Sequence, residues 1–546
     1  MKKFSEQLHQ DGLFSFAVSL WIFVWQGLVV GRSFPEAQQI PLFSPSYSNI
    51  YPQDPLVLFQ KNFDSLFFEY LRAVLKHFSP FEPIYIVHLI ALNAIFCFTM
   101  IRLTRFLVPS RHKSPYIAGL LSFSAMPMLH GVPFYWANQF FYLSNNTVAA
   151  ILVALAIWYW LKKRPLLFAL IVVFCFYVHA VAAVHLIGAI VISELIVEGR
   201  RHGLREVVRS NILSWSFIII AIVPWLARYI ASRSGIVQRT DSWESMRAFN
   251  WRDSFPAEWQ IETYLHFGAF LAFVSLVLFW MKENNSHQDD LVSQKILTLA
   301  EVAVVFSFVG VLLVEIFHSE FLALLMPTRA LRIFIFCVIP FIAAWFDDQL
   351  TRKNIFIQLF AGALLVFFLF PRNTLVWNNF GLIVSLFVVI WTLIQIFFYK
   401  KLTQKKDLFL IWTGCLIFLF WMWQGQEFQF INRFRKFSVG HWTFMIMAFL
   451  VMASYGWSRL RHLDRWILTS LRMLVLGVAI FQFYPAYDLS LFYSQFSRWK
   501  EVQLWIKKNT PPGSTILTPP GAVGFRIFSE RSPFFEFRDG TQQFFD

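Results

Sequence analysis

Runs of apolar residues alternate with short polar connections along almost the whole chain. Stretches such as Leu13–Gly31 and Asn211–Ala231 are long enough to cross a lipid bilayer, which takes about 20 helical residues. About fifteen stretches are recognisable on that criterion, near residues 13–31, 83–103, 114–130, 146–161, 166–178, 183–197, 211–230, 262–281, 296–317, 333–346, 354–370, 378–399, 407–424, 441–457 and 465–485. The pattern predicts an all-α polytopic membrane protein with about 13–15 transmembrane helices.

The apolar stretch Pro165–Ile196 is too long for a single span, and basic residues flank it at 162–164 and 200–201. Short basic loops remain on the cytoplasmic side of a membrane. We therefore expect a tight hairpin with His179 near its outer apex. The other short basic connections fall on alternate loops, which predicts a cytoplasmic N-terminus and a C-terminal segment outside the cytoplasm.

Three connections predicted to be outside are long, at residues 32–82, 232–261 and 487–546. A transmembrane domain, residues 1–485, includes an outer loop at 32–82, within which Asp64–Phe78 has the pattern of an amphipathic helix lying at the membrane interface. A short extracytoplasmic segment, residues 486–546, contains a helical stretch at 491–508. Two β-prone runs follow it, Ser514–Thr518 and Phe525–Phe528, so this segment is expected to be a small α/β unit.

Composition narrows the function classes. The net charge is +15, but only 14% of residues are charged and 57% are hydrophobic. Basic cytoplasmic loops beside anionic lipid explain such a charge, so membrane lipid is the expected partner and nucleic acid is not. The four cysteines lie in apolar stretches without metal or disulfide spacing. No HExxH, Walker or GxGxxG pattern occurs in a fitting context, which argues against a zinc protease and a nucleotide-driven pump.

Asp54 stands just above the membrane in the first outer loop, between Pro52 and Pro55. A carboxylate held in this way is a candidate general base for a hydroxyl group. The alternative is a helix cap, because Asp at the N-cap followed by Pro at the first helical position is a favoured start. The two roles are compatible with each other.

Arg329 and Arg332 lie in a short connection predicted to be outside, where the charge rule disfavours them. Three positions apart on a helix, they share one face. The planar guanidinium fork suits phosphate oxygens, so this pair is a candidate phosphate site. The alternative is binding to outer-leaflet headgroups or ion pairing with Glu320 and Glu427.

Other polar groups extend the list of candidates. Arg433 and Arg435 lie in another short outer connection and are further candidates for binding phosphate. His179 is a candidate ligand-binding residue at the hairpin apex. His185 lies on the same hairpin, and His130 precedes Pro133. For all three histidines the alternative is a core role, because a histidine in an apolar helix is more often a core residue.

The layout resembles the GT-C class of membrane glycosyltransferases. These proteins have many spans, a long first outer loop with an acidic residue and an interfacial helix, and a soluble C-terminal segment on the same side. The stretch Trp505–Pro520 and its continuation Phe525–Ser532 resemble a sequence frequent after the last span in GT-C relatives, and Leu325–Arg332 resembles an outer-loop pattern seen there. The similarity is greater to uncharacterised bacterial members than to enzymes of known substrate.

The resemblance implies transfer of a sugar from a polyprenyl-phosphate donor to an acceptor outside the cytoplasm, at a bacterial inner membrane. Asp54 would be the catalytic base, and Arg329 and Arg332, with Arg433 and Arg435, would hold the leaving phosphate. The first loop has one well-placed acid instead of an acidic pair, so no metal ligand is assigned and the cofactor stays open.

Two other classes remain. The first is a non-catalytic GT-C-like subunit with a partner in a membrane complex, which fits the short C-terminal segment and the missing acidic pair. The second is a lipid or small-molecule transporter. A transporter would place charged residues near the midplane and interrupt helices in matching positions of two halves. Few mid-span charges and no inverted repeat are found in the sequence.

Overall fold

The computed structural model describes residues 2–22, 65–77, 81–123, 145–233, 291–318, 325–351, 501–518 and 525–533, with isolated positions between 267 and 281 and at 323, 358, 361, 362, 365 and 499. Asp54, His130, Arg433 and Arg435 lie outside the described residues. So do the stretches predicted as spans from residue 378 to residue 485.

The described part of the chain is mostly helical. In chain order its helices are α1 Lys2–Ile22, α2 Leu66–His77, α3 Phe81–Leu107, α4 Ser114–Leu121, α5 Asn145–Leu161, α6 Pro165–Val178, α7 Ala180–His202, α8 Leu204–Arg233, α9 Leu291–Phe317, a 3₁₀ helix Pro327–Ala330, α10 Leu331–Thr351, α11 at 501–509 and α12 Phe525–Ser529.

Five segments of the described chain are long and apolar enough to cross a membrane: Ile86–Leu107, Ala180–His202, Leu204–Ala227, Leu291–Val314 and Pro327–Thr351. Helix α10 is central, since its side chains are almost all buried between α4 and α9. Helix α8 is peripheral, and residues such as Leu213 and Ile220 are 77% and 70% exposed. Exposed apolar side chains of this kind suit contact with lipid.

The predicted hairpin is present. Helices α6 and α7 pack against each other and are separated by a single residue, His179, whose backbone is extended (φ −158°, ψ 90°). Helix α2 agrees in extent with the predicted amphipathic helix. Its apolar residues Phe67 and Leu71 are buried in the protein core instead of facing lipid.

The helix that includes the first predicted span, residues 13–31, starts earlier than the span, because α1 begins at Lys2. Asp11, in the added part of the helix, has its partners on α3. Asp11 is fully buried and accepts hydrogen bonds from Arg102 and Arg105 at 3.4 and 2.6 Å. A buried carboxylate is tolerated inside a helix when two counterions neutralise it. A hydropathy pattern does not detect this compensation and therefore excludes the residue.

Acidic and basic groups tie several helix ends together at one end of the bundle. Asp347, near the end of α10, accepts hydrogen bonds from the backbone N–H groups of Lys113 and Ser114, 3.1 and 3.0 Å away, at the start of α4. Lys295 of α9 lies 2.8 Å from both Glu194 and Glu198 of α7. Trp160 of α5 donates a 2.6 Å hydrogen bond to the same Glu194.

In the C-terminal segment, strands β1 (Thr515–Ile516) and β2 (Ser532–Pro533) are parallel and pair Thr515 with Ser532. The predicted second strand at Phe525–Phe528 is wrong, since these residues belong to α12. A parallel pair needs a crossover between its strands, and α12 lies in that connection with Phe525 and Arg526 buried. Tertiary packing has overridden the β propensity of the phenylalanines.

Candidate functional site

Four basic side chains from distant parts of the sequence line one small cavity. His179 comes from the α6–α7 junction, His185 from α7, Arg329 from the 3₁₀ helix and Arg332 from α10. Apolar walls are supplied by Val153, Ala182 and Ile333. The cavity lies at the beginning of α10. The other end of this helix is about 30 Å away, and near that end Asp347 binds the start of α4.

His179 is both the link between two helices and a cap. Its Nδ1 accepts a 3.3 Å hydrogen bond from the backbone N–H of Ala182 in the first turn of α7. An accepting Nδ1 carries no proton, so in the neutral ring the proton is on Nε2. The cap therefore fixes the tautomer and leaves Nε2 as a donor.

Arg329 is positioned by an unusual turn. The preceding residue Met326 has a left-handed backbone (φ 47°, ψ 65°), and its carbonyl accepts a 2.8 Å hydrogen bond from the Arg329 N–H. Such a conformation costs a side-chain-bearing residue about 1–2 kcal/mol. Pro327, which opens the 3₁₀ helix, packs against Gly310 of α9. The close approach is compatible with glycine at position 310 only.

Arg332 and His185 are the deeply buried members, 3% and 2% exposed. The His185 ring makes an edge-to-face contact with Phe306 of α9, with ring centroids 5.7 Å apart.

Helix α2 also reaches this region. The buried Ser65, directly before α2, donates a 3.0 Å hydrogen bond to the carbonyl of Val178, the residue before His179. The same serine's backbone carbonyl accepts from the Glu69 N–H at 3.0 Å and begins the helix. Ser65 and the start of α2 are thus held beside the histidine cap.

The chemistry of the cavity favours an anion. Arginines are charged at all physiological pH values, and imidazole N–H groups donate hydrogen bonds to oxygen. No carboxylate is among the described residues that line it. The space in which the centre of a water-sized group can move is about 10 Å³, which is about enough for one water molecule or one oxygen atom of a larger group.

Three of the predicted site residues, His179, Arg329 and Arg332, thus lie on one cavity, whereas Asp54, Arg433 and Arg435 are outside the described residues. His185 is a fourth member that the sequence did not distinguish from a core histidine. Its spacing of three from Ala182 puts both on one face of α7, but that signal requires knowing that the helix begins after His179. Among the described residues, no group of His, Cys, Asp and Glu could hold a metal ion.

Comparison with known proteins assigns no activity. Residues 497–543 match the family described as "Domain of unknown function (DUF6798)". The matched stretch includes α11, both strands and Arg531. Arg531 stabilises the end of α11 by donating hydrogen bonds to the carbonyls of Lys507 and Thr510 at 2.9 and 2.5 Å. No curated protein and no solved structure matches the chain.

Proposed function

We propose that this protein is a membrane glycosyltransferase that moves a sugar from a polyprenyl-phosphate donor to an acceptor outside the cytoplasm. The observation that carries the proposal is the convergence of His179, Arg329 and Arg332 on one cavity. His179 is far in the sequence from the two arginines, which are three positions apart. Charged residues inside an apolar helical bundle are costly and are usually retained for function.

The donor's phosphate is the group that this cavity fits. When the sugar leaves a polyprenyl phosphate, negative charge develops on the phosphate oxygens, and preorganised guanidinium groups stabilise that charge. The cationic groups come from Arg329 and Arg332, whose planar forks can each offer two parallel N–H groups to a phosphate.

The polyprenyl chain has an apolar surface beside the site. Helix α9 contacts the 3₁₀ helix through Gly310 and exposes the neighbouring side chains Val309 and Leu312, which are 47% and 57% exposed. In this proposal the tail stays in lipid along α9 while its phosphate reaches the arginines. No water-filled path through the bundle is required for the tail.

Asp54 is proposed as the base that activates the acceptor hydroxyl. Support comes from Ser65, eleven residues after Asp54, because it donates a hydrogen bond to the carbonyl of Val178, next to the cavity residue His179. Arg433 and Arg435 are proposed to complete the phosphate site from a later outer connection.

The proposed orientation places the cavity on the outer face of a bacterial inner membrane. The basic connections at 102–113, 162–164 and 200–209 belong to the opposite end of the bundle. Lys162 lies close enough to Arg102 for their charges to interact, and Lys295 joins the ends of α7 and α9. One end rich in basic loops and one end with a phosphate site agree with cytoplasmic loops and an outer active site.

Substitution of the arginines tests the proposal. In the full-length protein in nanodiscs, Arg329→Ala and Arg332→Ala should each weaken binding of farnesyl phosphate, a short polyprenyl phosphate, by about 1–3 kcal/mol, since each removes a charged hydrogen bond. Sugar transfer from a polyprenyl-phosphate donor should fall in parallel. Arg201→Ala is the control, because Arg201 binds Gln294 at the other end of α7. Unchanged binding and transfer in folded variants would overturn the assignment.

A further inference from the structure

His185 differs from its neighbour His179 in what its ring contacts. The Nδ1 of His179 is used as a helix cap. The His185 ring lies close to the backbone of Leu325, but neither of its nitrogens forms a hydrogen bond of acceptable geometry with any described residue. The side chain is 2% exposed, so bulk water does not supply the missing bonds.

Buried polar groups in folded proteins are nearly always satisfied, and an exception needs an explanation such as a ligand or an ordered water. Trp345 offers a useful comparison. Its indole Nε1 is also buried without a hydrogen bond among the described residues, but Trp345 does not line the cavity and packs in an aromatic cluster with Phe273 and Phe346. For Trp345 the ring contacts explain the burial.

His185 has one ring contact, with Phe306, and its polar edge belongs to the wall of the cationic cavity. That cavity is small, so an anion would enter it through one of its oxygen atoms first.

We propose that His185 is a ligand-binding residue, whose imidazole N–H donates a hydrogen bond to the phosphate oxygen that enters the cavity beside Arg329 and Arg332. The inference rests on the proposed function insofar as it takes a phosphate ester as the ligand. It adds a neutral donor to the two guanidinium groups.

Two variants at this position separate a ligand-binding residue from a core residue. His185→Phe keeps a ring of similar shape and removes both nitrogens. It should weaken farnesyl phosphate binding by at least about 10-fold, because a hydrogen bond to a charged group is lost. The melting temperature of the ligand-free protein should be unchanged or higher, because an unsatisfied buried polar group has been removed. His185→Gln keeps an N–H donor and should bind within about 3-fold of the wild type.

His202→Phe is the matched control, since His202 is an exposed histidine at the other end of α7; it should leave binding unchanged. A structural histidine predicts the reverse for His185→Phe: a lower melting temperature with unaltered farnesyl phosphate binding. A histidine that binds only a water molecule also predicts unaltered binding. Either result would overturn the inference.

Failure of the inference and failure of the proposed function give different results. If wild-type protein binds farnesyl phosphate, His185→Phe weakens that binding and no sugar transfer occurs from any donor, the phosphate site stands and the transferase does not. If transfer occurs and is indifferent to His185→Phe, the transferase stands and the role of His185 does not. If wild-type protein does not bind farnesyl phosphate, both are wrong.

Discussion

Gly310 and Pro327 are so close that a methyl group on Gly310 would lie 2.4 Å from the Cβ atom of Pro327. Carbon atoms that are not bonded to each other do not approach to this distance. Since Pro327 begins the 3₁₀ helix, this contact packs the turn that carries Arg329 directly against α9.

Gly310→Ala should therefore displace Arg329. The 3₁₀ helix must move away from α9 to admit the methyl group. Displacements of about 1 Å can reduce the rate of an oriented reaction roughly 10²-fold, so we expect sugar transfer to fall by about 10- to 100-fold. Farnesyl phosphate binding, measured by isothermal calorimetry, should weaken in the same variant.

Gly12→Ala provides the control for helix propensity. A methyl group on Gly12 of α1 would meet nothing within 4 Å, and Ala is favoured over Gly in a helix by up to about 1 kcal/mol. This variant should be slightly more stable and fully active. If Gly310→Ala behaves like Gly12→Ala in both assays, the close contact does not position Arg329.

The ion pairs between α7 and α9 should contribute strongly to stability. Lys295 is 6% exposed and bridges Glu194 and Glu198. Lys295→Met leaves two carboxylates without their counterion, and breaking a buried pair in this way costs about 3–5 kcal/mol. Thermal unfolding in detergent, followed by intrinsic fluorescence, should show a clearly lower midpoint.

Arg201→Met tests whether burial of the Lys295 ion pairs is the reason for their large contribution to stability. Arg201 joins the same two helices through a 2.7 Å hydrogen bond to Gln294, but this pair is exposed. Exposed polar pairs contribute about 0–1 kcal/mol. Equal destabilisation by Lys295→Met and Arg201→Met would contradict the assignment of a buried, energetically important cluster.

The sequence predicted those helices best whose ends carry strong local signals. The predicted span 166–178 differs by one residue from α6, because Arg164 and Pro165 end the polar connection and start the helix. The hydropathy pattern does not show that α1 begins before the predicted span, since the buried partners of Asp11 are on α3 and a local pattern contains no information about them.

The candidate site, too, could be predicted from local signals only in part. Arg329 and Arg332 were noticeable because charges stand where the membrane rule disfavours them. That they share a cavity with His179 and His185 depends on how α7 packs against α9 and α10. The role of His185 depends in addition on its burial, which no spacing rule predicts.

The proposed orientation predicts opposite labelling of two histidine positions. His112 is exposed in the connection between α3 and α4, and His318 is exposed directly after α9. In a Cys415→Ser background, His112→Cys should resist an impermeant maleimide in intact cells and His318→Cys should react. The native Cys97, Cys175 and Cys337 are fully buried and should contribute little background. The reverse pattern would mean that the cavity faces the cytoplasm.

Asp54→Asn distinguishes a catalytic base from a helix cap. Asn caps a helix about as well as Asp, so a cap alone predicts wild-type stability and wild-type activity. A base predicts wild-type stability with transfer reduced by about 10²- to 10⁴-fold, the usual contribution of general acid–base catalysis.

The carboxylate is not expected to bind the donor's phosphate, since like charges repel. Farnesyl phosphate binding should therefore be retained or strengthened in Asp54→Asn, whereas Arg332→Ala should lose it. Transfer, binding and melting temperature are measured on one preparation in nanodiscs. Wild-type transfer by Asp54→Asn would remove Asp54 from the mechanism and leave the cationic cavity as the site of an unidentified base.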